Sequence, residues 1–359
     1  GASGDLTPLA HLTLSMMGES DVIWRRRRVA AEPVLRELEL PALKLEKRDG
    51  LALVNGTSAM TALAALNDVA LHNAVEHALV IGLMTAEVLE GRADGWHAFL
   101  GRVRPHVGQK TVHDRLAEMA ASSQRLSRRE RGRFDESRTQ TGHPLPQDAY
   151  TIRCMPQLLG AVLDSLAQHR ATVETELNSV TDNPVFDPVE ETVVHGGNFY
   201  GQHVAFASDA AALAATKLAV WAERIIARIT DPALHQKDLP PFLTPRTAGL
   251  DSGMMGAQVS ASALVAHMRT HSHPASIQSV PTNANNQDVV TMGTIAAWRT
   301  RELVSRLNEV LAIALIATAQ AVELSLQKQA SGYSETTSNA VDWLREHVDF
   351  IDADRPLSN

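Results

Sequence analysis

Apolar residues along this chain recur mainly with a helical period. From Leu9 to Met17, and through an Ala-, Leu- and Val-rich stretch at 56–90, they cover several helical faces, which predicts buried helices. Further helices are predicted within 109–127, 147–181, 203–230, 250–270, 287–330 and 335–346. The later half of the 287–330 pattern is apolar all round, as in the middle of a multi-helix bundle. The predicted fold class is therefore mainly α, a long-helix bundle with little β structure.

Three stretches depart from this pattern. Thr192-Val193-Val194 is the only convincing β-prone run, and it predicts a short hairpin within 185–200. Residues 19–50 are less regular, and their basic run Arg25 to Arg28 is interpreted as a solvated face or loop. Residues 128–146 are charged and interrupted by Gly and Pro, which predicts a mobile loop.

Composition narrows the class of protein. The 359 residues are 44% hydrophobic but only 4% aromatic, which suits a large core of closely packed helices. The formal charge of −8 argues against a nucleic-acid-binding protein. No apolar run reaches transmembrane length and no signal peptide opens the chain, so no membrane association is expected. Cys154 is the only cysteine, so the chain can form no internal disulfide and a cytoplasmic location is inferred.

The first four residues, Gly1-Ala2-Ser3-Gly4, form a small-residue loop that leads into a helix start. Asp5 or Thr7 can cap this helix, and Pro8 suits its first turn. One interpretation is an ordinary turn or anion site. In the other, the Gly4 nitrogen attacks the Ala2 carbonyl carbon, and loss of water leaves a methylidene conjugated to a carbonyl. Only small residues fit such a bend, but three residues alone do not decide between the two.

The longer string GASGDLTPLAH at 1–11 resembles the prosthetic-group signature of the histidine and aromatic amino acid ammonia-lyases. The resemblance, closest to bacterial tyrosine ammonia-lyases and related aminomutases, continues in family order through most of the chain. The matching blocks are LALVNGTSAM, QDAYTIRCMPQ, ELNSVTDNPVF, HGGNFYGQHVA, LDSGMMGAQV and PASIQSVPTNANNQDVV. The resemblance implies the fumarase/aspartase-like bundle. It also implies 4-methylideneimidazole-5-one (MIO), formed autocatalytically from Ala2, Ser3 and Gly4, with no metal and no dissociable cofactor.

Two blocks contain the other expected catalytic groups. Asn55 belongs to an Asn-Gly pair, which is common in turns; the resemblance places it near the prosthetic group and the substrate amine. Gln147, Tyr150 and Arg153 are spaced for one side of a helical turn. Arginine can bind a carboxylate with two hydrogen bonds, and tyrosine can remove a proton. The resemblance assigns Arg153 to the substrate carboxylate and Tyr150 and Gln147 to the prosthetic group; a surface Arg and a packed Tyr are the plain alternative.

Further residues are expected to line the substrate site. Two glycines before Asn198 and Phe199 suggest close backbone approach, and the resemblance places this Phe beside the prosthetic ring. Met255 and Val259 resemble residues of the aromatic-ring pocket, although helix core is the ordinary interpretation.

An amide-rich segment holds the last expected site residues, Asn283, Asn286 and Gln287. So many amides would make a poor core segment but suit a polar pocket wall at a helix N-terminus. Histidine-specific family members carry Glu at the position of Gln287, so Gln favours tyrosine or phenylalanine.

Other classes of site are less well supported. His267 and His271, at i and i+4, could bind a metal together with His273, but HExxH is absent and structural or subunit contacts are favoured. Ser3 could instead be an acyl-transfer nucleophile, but no GxSxG elbow surrounds it. A non-catalytic helical assembly protein is the third alternative, and the amide-rich loop and Arg153 argue against it.

The resemblance implies elimination of ammonia from an aromatic L-amino acid, most directly L-tyrosine to 4-coumarate. A tyrosine or phenylalanine 2,3-aminomutase and a phenylalanine or histidine ammonia-lyase are alternatives within this chemistry. Family members are homotetramers with shared active sites. They also have a segment upstream of the signature, which carries a catalytic Tyr base and residues that select the ring substituent. Residues 1–359 are therefore expected to be the C-terminal part, comprising the MIO loop (1–11) and the helical bundle, and to need that segment for activity.

Overall fold

Helices dominate the computed structural model, which describes residues 4–126, 147–235, 237–328 and 330–356. The mainly α class is confirmed. In the first part of the chain the helices are α1 (Leu6–Met17), α2 (Ala31–Glu37), α3 (Asp49–Ala52), α4 (Ser58–Val88), α5 (Ala98–Val103) and α6 (Val107–Met119). Those that follow are α7 (Tyr150–Arg153), α8 (Met155–Leu177), α9 (Gln202–Thr230), α10 (Met255–His271), α11 (Gly293–Gln327) and α12 (Glu335–Arg345).

The predicted start of α11 was wrong, because this helix begins at Gly293 and not near 287. Asn283, Ala284 and Asn285 all have positive φ, between 50° and 65°, so this stretch is a left-handed turn that cannot continue into an α-helix. The amide-rich segment therefore precedes the helix by several residues and does not form its first turn. The predicted mobile loop at 128–146 lies outside the described residues.

Two antiparallel hairpins make up the sheet structure of the described residues. Strands β3 (Val185–Asp187) and β4 (Thr192–Val194) form the predicted hairpin. The other hairpin, β1 (Asp21–Trp24) with β2 (Arg27–Ala30), was not predicted. The basic run thus forms a turn and a strand, and its side chains are exposed as expected. Arg25 and Arg26 occupy the turn with φ of 48° and 65°, positions that normally favour Asn-Gly, so the usual sequence signal is missing.

The chain forms two compact units. The first consists of residues 1–69, 168–212 and 273–302, and the second of residues 70–167, 213–272 and 303–359. The core of the first unit surrounds Met60, which is fully buried against apolar side chains from three other helices. These side chains belong to Val173, Val204 and Ala297.

The second unit has a core of large aliphatic side chains contributed by several helices. Its fully buried members include Leu79, Met84, Leu116, Leu159, Leu166, Leu218 and Ile225. Two tryptophans fasten the short helix α7 to this core: Trp96 Nε1 donates to the Ile152 carbonyl at 2.8 Å, and Trp221 Nε1 to the Thr151 carbonyl at 2.9 Å. These bonds fix the backbone of the turn that carries Tyr150 and Arg153.

The expectation that no segment has transmembrane length was wrong. Helices α4, α9 and α11 are long and apolar enough, by length and composition, to cross a membrane. Within the most apolar window of each, 61%, 67% and 56% of the residues are buried inside the protein. Alanine-rich helices that pack against other helices reach such hydropathy without any long run of large apolar residues.

Candidate active site

Gly4 and Gly56 cross each other in the first unit as a parallel bridge. Gly4 has a φ of 75°, and a Cβ placed on it would overlap the Gly56 carbonyl group. Gly56 has a φ of 135°, and a Cβ there would lie 2.8 Å from the Thr181 carbonyl oxygen. Both positions therefore require glycine, for conformation and for space. Ala2 and Ser3 lie outside the described residues, so Gly4 alone of the predicted triad can be placed.

Asp5 anchors this crossing. Its backbone N–H donates to the Gly56 carbonyl at 2.7 Å, and its own carbonyl accepts from Leu9 N–H at 3.0 Å in the first turn of α1. Its carboxyl group is 1% exposed and accepts from Met60 N–H at 2.8 Å and from the Thr294 hydroxyl. Met60 is the third residue of α4 and Thr294 the second of α11. Asp5 thus connects the starts of three helices.

A fourth helix start lies beside these three. Gly201, directly before α9, and Gly293, the first residue of α11, both lie against the Met60 sulfur. Helix N-termini carry unpaired N–H groups and partial positive charge. Four of them close to Gly4 create an environment that stabilises negative charge, either of a bound anion or of a reacting group.

Asn55 lies directly before Gly56 and is 8% exposed. Its side-chain nitrogen donates to Asp182 Oδ1 at 3.0 Å and to the Asn183 carbonyl at 3.4 Å. The same segment reaches Asn198, whose side-chain nitrogen donates to the Val180 carbonyl at 3.2 Å. The structure therefore connects two predicted site residues, Asn55 and Asn198, through residues 180–183. Phe199 is half-buried, and its predicted place beside the prosthetic ring stays a prediction.

The amide-rich turn is closed by Thr282 and Gln287. Their backbones exchange two hydrogen bonds, at 3.0 and 3.3 Å, and the Thr282 hydroxyl donates to Gln287 Oε1 at 2.9 Å. Asn283 and Asn286 are exposed and Gln287 is half-buried. Exposed amides on a closed turn fit the predicted pocket wall, although the turn does not lie at the N-terminus of α11.

In the second unit, Tyr150 and Arg153 lie on the same side of α7, as their spacing predicted. The Arg153 guanidinium carbon lies 4.8 Å from the centroid of the Tyr150 ring, and Arg153 Nε donates to the Asp148 carbonyl at 3.2 Å. Tyr150 is 70% exposed, so its hydroxyl is not a packed core group. Gln147 lies before α7, so its spacing of three does not place it on the same helical turn as Tyr150 and Arg153.

Met255 and Val259 lie on α10 and are 41% and 60% exposed, so the ordinary interpretation as helix core was wrong. Neighbouring residues of α10 line an apolar groove of about 1020 Å³ together with the middle of α11 and residues 351–355. His267 and His271 stack on the same helix with ring centroids 4.0 Å apart. Within the described ranges, no group of three His, Cys, Asp or Glu side chains could hold a metal ion.

The model of the family described as aromatic amino acid lyase matches residues 1–346. The chain belongs to the aromatic amino acid lyase family. It is 49% identical to a tyrosine ammonia-lyase of Cereibacter sphaeroides over 99% of this chain and 69% of the relative. It is 38% identical to a histidine ammonia-lyase of Caldanaerobacter subterraneus over 99% of this chain and 67% of the relative.

Solved structures agree with this assignment. The chain superposes on a tyrosine aminomutase from Streptomyces globisporus with a TM-score of 0.92 and 36% identity, covering 99% of this chain and 68% of the other. As a member of the aromatic amino acid lyases, the protein is a carbon–nitrogen lyase and acts as an aromatic amino acid ammonia-lyase.

Sequence reasoning missed several residues that hold this site. Gly56 and Asp182 were quoted only as parts of motifs, and Asp5 only as a helix cap. The positive φ of Gly56 could have been suspected from the Asn-Gly pair. Thr294 gave no signal at all, because it lies 289 residues from the carboxyl group to which it donates.

Proposed function

We propose that this lyase removes ammonia from L-tyrosine to give 4-coumarate, with an MIO group formed from Ala2, Ser3 and Gly4. One observation carries the proposal: Gly4 is enclosed at a crossing where no side chain fits, among four helix N-termini. The identity to the Cereibacter tyrosine ammonia-lyase and the Gln at position 287 favour tyrosine over histidine.

The described residues fit such a group. A ring that includes the Gly4 nitrogen needs a residue without Cβ at that point, and the Asp5 and Gly56 backbones would hold its C-terminal side. When formed, MIO supplies an electrophile that makes the substrate amino group a better leaving group. The surrounding helix starts stabilise negative charge next to it.

The remaining roles belong to side chains of this chain. Arg153 binds the substrate carboxylate through paired N–H donors, and Tyr150 accepts or returns a proton at its hydroxyl. Asn55 Oδ1 accepts from the substrate ammonium group. Other side chains position the ring and exclude water from it. These are Gln147, Asn198, Phe199, Met255, Val259, Asn283 and Gln287.

The active form is proposed to be a cytoplasmic homotetramer with shared sites. Its support is the number of large apolar side chains left exposed on helices, such as Leu66 at 57%, Leu213 at 52% and Trp298 at 58%. Exposed apolar surface of this kind is typical of protein–protein contacts. Sedimentation equilibrium tests this assembly, since a monomer at micromolar concentration would contradict it.

The decisive experiment combines intact mass with product analysis. MIO formation should lower the mass by two water molecules, because the ring closure and the serine side chain each lose one. Ser3→Ala should lose at most the water of ring closure and should turn over no tyrosine. Gln287→Glu, as a specificity control, should keep the mass loss but shift preference from tyrosine toward histidine.

This chain covers 69% and 67% of the two matched relatives, so about a third of each relative lies outside the matched region. Each assay is therefore run with the chain alone and with the uncovered part of the Cereibacter relative supplied. An unmodified mass in a sample that releases ammonia from tyrosine would overturn the prosthetic-group proposal. Release from phenylalanine or histidine alone would overturn the substrate proposal.

A tyrosine aminomutase is the second candidate, favoured by the likeness to the Streptomyces globisporus structure. Both reactions begin with removal of the amino group, and the aminomutase then returns it at the β-carbon. Chromatography of the products separates them, since only the aminomutase yields a β-amino acid.

A further inference from the structure

The side-chain amide of Asn55 is held in one orientation. Both groups that its nitrogen contacts, the Asp182 carboxylate and the Asn183 carbonyl, can only accept hydrogen bonds. The nitrogen must therefore face them, and Oδ1 must face the other way. No hydrogen bond to Asn55 Oδ1 is found within residues 4–126, 147–235, 237–328 and 330–356.

Asp182 is itself fixed by three donors. Oδ1 accepts from Asn55 and from Asn183 N–H at 2.7 Å, and Oδ2 accepts from Arg48 at 2.8 Å. Burial acts to raise the pKa of Asp182, but these hydrogen bonds outweigh it, so the pKa lies below its ordinary value. At neutral pH the group is a carboxylate, which cannot donate and so leaves Asn55 one orientation only.

We propose that Asp182 is a positioning residue that keeps Asn55 Oδ1 turned toward the substrate ammonium group. The proposal rests on the proposed function, because it needs an amine that Asn55 receives. It adds a residue that the sequence did not single out. A carboxylate that orients a catalytic amide has the same role as the outer partners that orient metal ligands, whose loss costs about 10- to 100-fold.

A purely structural role is the alternative, because Asp182 also joins two segments of the first unit. Thr57 offers a matched control, since its hydroxyl also joins two segments of the first unit by donating to Glu176 Oε1 at 2.6 Å, and no hydrogen bond between Thr57 and Asn55 is found among the described residues. Thr57→Val removes that bond at nearly constant volume. It should lower the unfolding temperature as Asp182→Asn does but change kcat/KM for tyrosine by less than about 2-fold.

The test compares ligands that differ in the amine. Asp182→Asn lets Asn55 turn, because the new amide can donate to Oδ1 as well as accept. We expect kcat/KM for tyrosine to fall by about 10-fold. The inhibition constant of 4-coumarate, which lacks the amine, should change by less than about 2-fold. A general distortion of the site would weaken both ligands, so equal losses for both, or no loss for tyrosine, would overturn the positioning role.

A double-mutant cycle between Asn55 and Asp182 measures their coupling independently. In an Asn55→Ala background, Asp182→Asn should cost less than about 2-fold, since there is no amide left to orient. An equal cost in both backgrounds would contradict the proposal. Failure of the proposed function is recognised separately: a wild-type protein without the two-water mass loss, or without release of ammonia from tyrosine, refutes that function whatever the cycle shows.

Discussion

Asp5 in the first unit and Glu87 in the second are two buried carboxyl groups held in the same way. Asp5 accepts from Met60 N–H and the Thr294 hydroxyl. Glu87, with 0% exposure, accepts from Ser334 N–H at 2.8 Å, from the Ser334 hydroxyl at 3.0 Å and from the Thr337 hydroxyl. Neither has a cationic partner among the described residues. Each carboxyl group instead satisfies donors at the start of a helix, where N–H groups lack partners.

The neighbours of the two groups differ. Asp5 is adjacent to Gly4 and holds the predicted reactive loop, whereas Glu87 fixes the first turn of α12, where Ser334 is the N-cap. Each site also contains a glycine with similar backbone conformation: Gly4 has a φ of 75° and Gly332 a φ of 80°. The same kind of hydrogen bonding thus occurs beside the proposed reactive loop in one unit and at an ordinary helix start in the other. Paired substitutions can test whether the two groups differ in function.

The largest effect is expected for Gly4→Ala. The new Cβ would overlap the Gly56 backbone, which cannot move without breaking the bridge. Together with the left-handed φ, this should lower the free energy of unfolding by more than about 3 kcal/mol and prevent ring formation. Chemical denaturation and intact mass measure the two consequences.

Gly332→Ala is the matched control. Its Cβ would lie 2.8 Å from Gln124 Cβ, a smaller overlap than a Gly4 Cβ would have with the Gly56 carbonyl oxygen, so about 2 kcal/mol is expected. Specific activity of the folded protein should be retained. Equal losses of stability and activity in Gly332→Ala and Gly4→Ala would show that the close contact of Gly4 with Gly56 has no particular importance for the predicted reactive loop.

The second pair is Asp5→Asn and Glu87→Gln. Each substitution puts an amide nitrogen where one oxygen accepted hydrogen bonds, which should cost about 1–3 kcal/mol of stability. Only Asp5→Asn should also lower kcat, because only Asp5 supports the loop that includes Gly4. Thermal unfolding and steady-state kinetics on the same samples give both values. An equal loss of kcat in the two variants would show that Asp5 and Glu87 do not differ in their effect on activity.

The sequence predicted these two regions unequally. Helix periodicity located α4, α9 and α12 within a few residues, because their apolar faces pack against other helices. Family resemblance supplied Asn55, Tyr150 and Arg153. Neither signal could reveal that Thr294 donates to Asp5 or that Asp182 holds Asn55, since such contacts join residues 289 and 127 positions apart. Only the tertiary fold brings them together.

Arg26→Gly tests what a left-handed backbone conformation costs at an exposed position, where no neighbouring backbone crowds the residue as Gly56 crowds Gly4. Arg26 has a φ of 65°, close to that of Gly4, but its side chain is exposed at the tip of the β1–β2 hairpin. Glycine relieves the left-handed strain there without disturbing packing, so stability should rise by about 1 kcal/mol. Arg27→Gly, one residue later in β2, should instead lower it by about 0.5–1 kcal/mol. Denaturation midpoints check both signs, and a loss with Arg26→Gly would show that its side chain contributes more than its conformation costs.

His235 should give the smallest effect, and it contrasts with Glu87 within the second unit. Glu87 has a donor for each carboxyl oxygen, whereas His235 is a buried imidazole beside the Ile229 backbone. Burial lowers the pKa of His235 below 6.5, outweighing the hydrogen bond and the Asp231 charge that act to raise it. As pH falls below 6.5, the unfolded chain takes up a proton that the folded chain does not bind, so stability decreases until the folded pKa is reached.

The variant His235→Asn tests this pH dependence. In the wild type, His235 Nδ1 accepts a hydrogen bond from Lys237 N–H at 3.2 Å; the asparagine side chain keeps an acceptor for that N–H but cannot titrate. The free energy of unfolding of this variant should therefore fall less than that of wild type between pH 7.5 and pH 5.5, and a parallel decline in the two proteins would show that His235 is protonated in the folded state.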